Sequence, residues 1–481
     1  MFTIWRSICY LGAMDRIFTY IKTLEKWLLQ SLVFFIPTNL ALHLYKSQAH
    51  VYGITIDYLI PKIYVSDFIV MALLGLWLLR NVKTLPSVLN TALKHGSLIA
   101  LLIATLVVSA YQSQYPVAGY WFLLKLAEMS VLVLYMIHNL KLESIKWPLS
   151  LTLLFQALVG IIQWVQKQSL LGYYFLGETT IRNNSYIAKT GVTGEIRPLP
   201  YGTTPHPNVV AGFLAVGLLI ILLIDQIQKP SKKSESSPTW LKRGLGGVTR
   251  LVFALPILLT LLLTQSVSAV IVLIVGLILL KFKALHWRNG LAIVAIFLAT
   301  GLAVSPYVES TSVTRRVQLT EISLKMILAE PWLGVGPNNF TARMTDFGRV
   351  ISTTRFLQPV HNIYLLWVSE TGLVSTGLLL LILFKFSKTL GFPSATKSES
   401  TKTNKKSQSK KVSHKALHTK LTSQKTAMLH YSVPIIAIAI IGLADHYPLS
   451  LQTGQLLSVL CLSLPLSLWY RQKTTKLKQT P

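Results

Sequence analysis

A chain of 481 residues that is 52% hydrophobic and only 13% charged, with a mean hydropathy of +0.52, does not have the composition of a soluble domain, whose charged share is about 25%. Its net charge of +29 first suggests a nucleic-acid binder. That class is excluded because the basic residues sit in short connections between apolar runs, the pattern that orients membrane helices.

The expected class is therefore an all-α polytopic membrane protein. Residues 1–27 carry Arg6, Arg16, Lys22 and Lys26 with no small-residue cleavage site after them, and read as a cytoplasmic leader into a retained first span. A spanning helix needs about 20 predominantly apolar residues. Candidate spans lie at 28–44, 65–80, 96–111, 119–138, 147–165, 207–226, 250–264, 266–281, 290–307, 361–386, 428–444 and 452–470. The least defined boundary is at Thr264, Gln265, Ser266 and Ser268, which interrupt one long apolar stretch. The transmembrane domain then covers 28–470, and 471–481 is a cytoplasmic tail. The two cysteines, Cys9 and Cys461, lie at opposite ends of the chain, so no disulfide framework is expected.

Lysine and arginine fix the expected orientation. Arg80, Lys83 and Lys94, then Lys141 and Lys146, then Lys229 to Arg243, then Lys281 to Arg288, mark every second connection as cytoplasmic. Both termini fall on that side, and the protein is placed in the inner (plasma) membrane. The segment 388–427 is dense in lysine and poor in apolar periodicity, and is expected to be a disordered cytoplasmic loop that touches anionic lipid. Two long connections, 166–206 and 308–360, are expected outside. They break the pattern with Arg182, Lys189 and Arg197 in the first, and Arg315, Arg316, Lys325, Arg343, Arg349 and Arg355 in the second. Long loops cross whatever their charge, but arginines gathered at a membrane mouth also suit an anionic ligand through the bidentate guanidinium fork.

Soluble-enzyme motifs are missing. There is no P-loop and no HExxH, and "GVGPNN" puts Asn339 where a dinucleotide fingerprint needs its third glycine; Gly334 and Gly336 read as a turn. Four stretches carry a more specific signal: "RPLPYGTTPHPNVVAGFLAVGLL" from Arg197, "RRVQLTEISLKMILAEPWLGVGPNNF" from Arg315, "QPVHNIYLLWVSETGLVSTG" from Gln358 and "DHYPLSLQTGQLLSVL" from Asp445. In this order and spacing they resemble the O-antigen ligase and O-antigen polymerase superfamily, over roughly 28–470.

The resemblance implies a GT-C-like membrane fold with a large external loop before the tenth span. It also implies a metal-independent, inverting glycosyltransferase that needs no cofactor. The donor would be a saccharide on a polyprenyl diphosphate, and the acceptor a lipid A core, another glycan or a protein hydroxyl, on the periplasmic or exterior face. The chain departs from the family pattern at Val267, where many members have an arginine.

Such a reaction needs a group to take the acceptor proton and a group to hold the leaving diphosphate. His361 is assigned as base or acceptor-orienting group, since histidine titrates near neutrality. Arg316 and Arg197, with Arg315 as a substitute for Arg316, are assigned to the diphosphate. Asn362 either caps the following helix or holds His361. His206 and Asn208 shape the entrance to a helix around Pro207. Lys125 and Glu128 are three residues apart inside a span, and either neutralise each other or line the lipid-phosphate cleft. Glu370, about 13 Å into its helix by the rise per residue, is placed to orient an arginine or a substrate hydroxyl. Asp445 and His446 line the acceptor side. A polymerase of the same superfamily and, from another class, a secondary transporter compete with the ligase reading. Transporters show internal repeats and paired broken helices near the midplane, whereas the polar residues here gather in the external connections.

Overall fold

A computed structural model of the chain describes residues 2–81, 96–181, 187–190, 196–228, 252–281, 310–351, 356–389 and 408–477. The expected span 290–307 lies outside the described residues, as do Arg182 and Arg355. The helices are α1 (Phe2–Phe35), α2 (Val65–Asn81), α3 (Gly96–Gln112), α4 (Pro116–Asn139), α5 (Leu142–Gln166) and α6 (Pro207–Ile227). They continue as α7 (Val252–Leu263), α8 (Val267–Lys281), α9 (Ser310–Ala329), α10 (Phe340–Phe347), α11 (Ile363–Thr389), α12 (Gln408–Ala444), α13 (Tyr447–Ser450) and α14 (Gln452–Leu477). Three two-stranded ribbons occupy the connections: β1 (Ala41–His43) with β4 (Lys62–Tyr64), β2 (His50–Val51) with β3 (Ile54–Thr55), and β5 (Lys189–Thr190) with β6 (Arg197–Pro198), all antiparallel.

Among the described residues six helices are long and apolar enough to cross a membrane: α4, α5, α6, α11, the part of α12 from Thr426 to Ala444, and α14. Three more, α3, α7 and α8, are apolar but shorter. The chain is thus a polytopic membrane protein. The interruption at Thr264–Ser266 is a real break, with Gln265 at a left-handed φ of 55° between α7 and α8. Helix α1 ends at Phe35, short of the expected 44, because Pro37 follows and its ring disfavours helix in the residue before it; Ala41–His43 is already strand. The expected leader is part of α1.

Two further expectations are corrected. Residues Gln408 onward, expected to be disordered, are continuous with the apolar part of α12; lysine, glutamine, alanine and leucine in that stretch are all good helix formers. Residues 390–407 lie outside the described set. The connection 308–360 is not a plain loop either. It contains α9 and α10, which close over a small core of Leu319, Ile322, Met326, Phe340 and Met344 with Val360 and Leu366.

The main core runs through α1, α2, α4, α5, α6, α8, α12 and α14. Helix α6 is its axis: it is apolar all round and almost wholly enclosed, as such a helix must be. Contacts sort the connections to two ends. At one end Asn339 bonds Tyr115 in the α3–α4 turn and Gln265 bonds Thr190. At the other, Arg80 meets Glu25 and Asn139, Arg471 meets the Leu140 carbonyl, and Lys146 meets Asp225. Of the basic residues read as cytoplasmic, Arg80, Lys146 and Arg471 are at this second end.

Helix α11 is broken at Gly372, whose φ is +76° and ψ 176°. The break leaves backbone groups without helical partners, and the segment Pro331–Gly336 supplies them. Leu373 N donates to Pro331 O (2.7 Å) and Val374 N to Trp332 O (3.3 Å), while Val335 N donates to Ser369 O (3.0 Å) and Gly336 N to Glu370 O (2.9 Å). Ser109 of α3 closes the other side by donating to Leu333 O (2.6 Å). Buried backbone groups must be paired, so the segment is a turn locked into α11. A Cβ on Gly372 would lie 2.2 Å from the Trp332 oxygen. Gly372→Ala is expected to lose at least about 1–2 kcal/mol from the left-handed backbone alone, read as a lower thermal unfolding midpoint in detergent; an unchanged midpoint would show that the turn is not fixed this way.

Candidate functional site

The polar segment before α6 is placed by two amides of α5. Gln163 Oε1 accepts from Tyr201 N and Gly202 N, both at 2.9 Å, and Gln156 Oε1 accepts from Thr203 N at 2.8 Å. This brings His206 to the start of α6, where its Nδ1 accepts from Asn208 N (3.2 Å) and caps the helix. The expected helix-entrance role of the His-Pro-Asn triplet is therefore present. Asn208 does more than that reading gave it: its Nδ2 donates to Asp445 Oδ2 (3.0 Å).

Asp445 follows the last residue of α12 and is buried. Its other oxygen accepts from His446 N (2.8 Å). The His446 ring packs edge-on against His361, centroids 5.2 Å apart, and against Tyr58 at 5.4 Å; its Nδ1 is 2.6 Å from Ser450 Oγ, one helical turn on. His361 is half-buried, and its Nδ1 is enclosed with no hydrogen-bond partner among the described residues. Arg316 reaches the same place from α9 and donates to Ala444 O (3.2 Å). Asn362 Oδ1 caps α11 by accepting from Tyr364 N and Leu365 N, both at 3.0 Å, and its Nδ2 donates to Leu443 O (3.2 Å). Asn362 thus ties the start of α11 to the end of α12. Four elements distant in sequence converge on two histidines, a carboxylate and a guanidinium.

Electrostatics follow from this packing. Burial pushes His361 well below the ordinary histidine pKa, against the pull of Asp445, and lowers His446 for the same reason. Both imidazoles are neutral near pH 7. Burial would raise Asp445, but the surrounding His446, His361, His206 and Arg316 outweigh it and hold the carboxyl below its usual range, so it is ionised. The arrangement sets the neutral His361 imidazole beside an ionised carboxylate and a guanidinium.

Other expected site residues are elsewhere. Arg315, one position from Arg316 and so about 100° round the helix, lies over the Phe356 ring at 5.1 Å. Arg197 is on β6, opposite Thr190, in a ribbon that packs on α5. Glu370 is buried, and its Oε1 accepts from Phe340 N (3.0 Å). It anchors the turn Gly334–Asn339 instead of orienting an arginine or a substrate hydroxyl, because the turn's N–H groups are nearer and must be satisfied. Lys125 pairs with Glu128 at 3.1 Å and also with Asp67 of α2. Two carboxylates flank one ammonium, so Lys125 has no surplus charge for a lipid phosphate, and that expectation fails on charge.

The sequence did not point to Asp67, Tyr58 or Ser450. Ser450 had a weak signal, four residues after His446 on one helical turn. Tyr58 had none, since only folding of the 36–64 segment lays its ring on His446. Among the described residues no group of three histidine, cysteine, aspartate or glutamate side chains has the geometry of a metal site.

His361, Arg316 and the Gly334–Asn339 turn all lie in the stretch that matches a family model. Residues 251–382 match the O-antigen ligase family model, Wzy_C. This segment of the chain is similar to an O-antigen ligase domain. Asp445, His446 and Asn208 complete the cluster from outside the residues matched to that domain. Among curated proteins, none matches the chain. The chain is accordingly a membrane protein with a segment similar to the O-antigen ligase family, and that segment contributes α7, α8, α9, α10 and most of α11.

Proposed function

We propose that the protein is a membrane glycosyltransferase that moves a saccharide from a polyprenyl-diphosphate carrier to an acceptor hydroxyl, in O-antigen ligase-like assembly of cell-surface polysaccharide. The observation that carries the reading is the convergence of His361, Asp445, His446 and Arg316 at one end of a helical bundle that bears a segment similar to an O-antigen ligase domain. The acceptor oxygen bonds to the anomeric carbon from the face opposite the diphosphate, the carbon–oxygen bond to the diphosphate breaks, and the configuration inverts. The acceptor proton passes to the His361 imidazole, which is partly exposed at the cluster. The Asp445 carboxylate favours the imidazolium that forms. Arg316 takes up the charge on the departing diphosphate; the guanidinium has five N–H donors, and one of them goes to Ala444 O. His446, held by Ser450 and by its own backbone, walls the acceptor side.

The site end of the bundle faces the periplasm or exterior in this reading, and the basic end faces the cytoplasm, in line with the distribution of lysine and arginine. An arginine can neutralise a diphosphate directly, so no metal is required. The purified chain, given a polyprenyl-diphosphate oligosaccharide in EDTA with either lipid A core or no second acceptor, is expected to transfer. Label appearing on the core makes it a ligase, and growth of the lipid-linked glycan makes it a polymerase. Loss of transfer in EDTA, restored by magnesium or manganese, would overturn the arginine-based mechanism.

A further inference from the structure

Beside His446 lies a half-open cleft that the mechanism above leaves unused. Tyr58, Tyr64 and Trp121 supply aromatic rings to its wall, and Asn338, Gln452 and Gln455 supply amides. Lys62 and Lys125 also line it, so a phosphate is the first ligand to weigh. Counting charge removes it. Lys62 is paired with Asp57, and Lys125 with both Asp67 and Glu128. Three carboxylates stand against two ammonium groups, so the cleft has no surplus positive charge. A diphosphate gains nothing there.

A neutral, hydroxyl-rich ligand is suited to the same wall. Aromatic faces pack against the C–H faces of a sugar ring, amides both donate to and accept from its hydroxyls, and carboxylates accept from them. A few placed polar groups among aromatic rings is the general make-up of a small-ligand site. The cleft's position assigns its side of the reaction. Ser450 and Tyr58 both line it, and both touch His446, Ser450 by a 2.6 Å hydrogen bond and Tyr58 by its ring. Arg316 instead meets the cluster at Ala444 O. The cleft therefore adjoins His446, whose ring packs on His361, the group that receives the proton.

We propose that this cleft is a saccharide subsite, holding the acceptor sugar whose hydroxyl attacks; the acceptor assignment rests on the transfer reading above, while the saccharide assignment rests on the cleft itself. Asp57, Lys62 and Lys125 act as a fixed polar floor, with Asp67 holding Lys125 from behind, and Trp121 and Gln455 are the specificity-setting contacts.

The test is binding without turnover. The full chain in lipid nanodiscs is presented with the methyl glycosides of glucose, galactose and N-acetylglucosamine, and contact is read by saturation-transfer NMR. At least one glycoside is expected to respond, with a response that falls about fivefold in Gln455→Leu and in Trp121→Ala, the size of one lost polar or stacking contact. Trp121→Phe, which keeps a ring and spares the fold, is expected to retain most of the response. Inorganic pyrophosphate is expected to leave it unchanged. No response from any glycoside, a response indifferent to both Gln455→Leu and Trp121→Ala, or displacement by pyrophosphate would each overturn the subsite. Because no transfer is measured, failure of the transferase reading would leave a positive binding result standing, and a negative one would leave transfer untouched.

Discussion

His361→Ala is expected to lose about 10²–10⁴-fold in turnover, the contribution of one positioned general base, while the amount of folded protein in the membrane stays the same. The side chain is only half-buried and its Nδ1 is bonded to nothing among the described residues, so its removal strands no hydrogen-bond partner there and the stability loss is small. Donor binding is expected to stay near normal, which separates a failed transfer step from a failed encounter. His361→Gln, which restores polarity without a base, is expected to be equally inactive. The pH profile adds a second signature. A base acts when unprotonated, so its rate falls as pH drops through its pKa. Burial lowers the His361 pKa from the ordinary value of 6.5, and Asp445, held below its own usual range, stays ionised over the same interval. Transfer is therefore expected to hold level from pH 8 to well below pH 6.5, where a histidine of ordinary pKa would already have lost half its base form. A half-maximal rate at pH 6.5, or near-normal turnover in His361→Ala, would move the base to another group, with His446 the next to examine.

Arg316→Ala is expected to fail differently. Losing one well-placed electrostatic donor costs about 10²–10³ in rate, and here the group also meets the donor lipid, so affinity for the polyprenyl diphosphate should fall together with turnover. Arg316→Lys keeps the charge but removes the planar fork and its paired hydrogen bonds, and is expected to recover little. Arg315 is one residue away on α9 but lies over Phe356, so Arg315→Ala is expected to bind and transfer nearly as the parent does. Donor titration of the three variants, followed by single-turnover transfer, checks this ordering. Equal losses in Arg315→Ala and Arg316→Ala would point to a diffuse basic surface instead of a directed contact.

Much of this architecture was legible in the sequence where a local rule governs. The apolar runs gave most of the spans, Pro207 and Asn362 marked helix starts that the structure caps as those residue types do, and the glycines of "GVGPNN" form a turn, Gly334 and Gly336 at φ 67° and 103°. What local rules did not give are the pairings across the bundle. Glu370 looked like a group aimed at a ligand because an acid inside a span is rarely idle; its partner is a backbone N–H thirty positions earlier, invisible without the fold. Lys125 and Glu128 looked self-contained because Asp67, their third member, comes from another helix. The break at Gly372 was read as continuous helix, since nothing in "SETGLVS" announces that Pro331–Gly336 fills it. His361, Arg316, Asp445 and His446 were each singled out, but one at a time. Only the fold puts Asn208 on Asp445 and His446 on His361.

The central claim is that the anomeric carbon–oxygen bond to a lipid diphosphate is the bond this protein breaks. The most direct measurement is the lipid product. The purified chain is incubated with a polyprenyl-diphosphate saccharide labelled in both sugar and lipid phosphate, together with a hydroxyl acceptor, and the products are separated and counted. The account predicts one polyprenyl diphosphate released for each saccharide joined to the acceptor. Release of polyprenyl monophosphate with a sugar phosphate, or intact donor recovered with every acceptor tried, would contradict it.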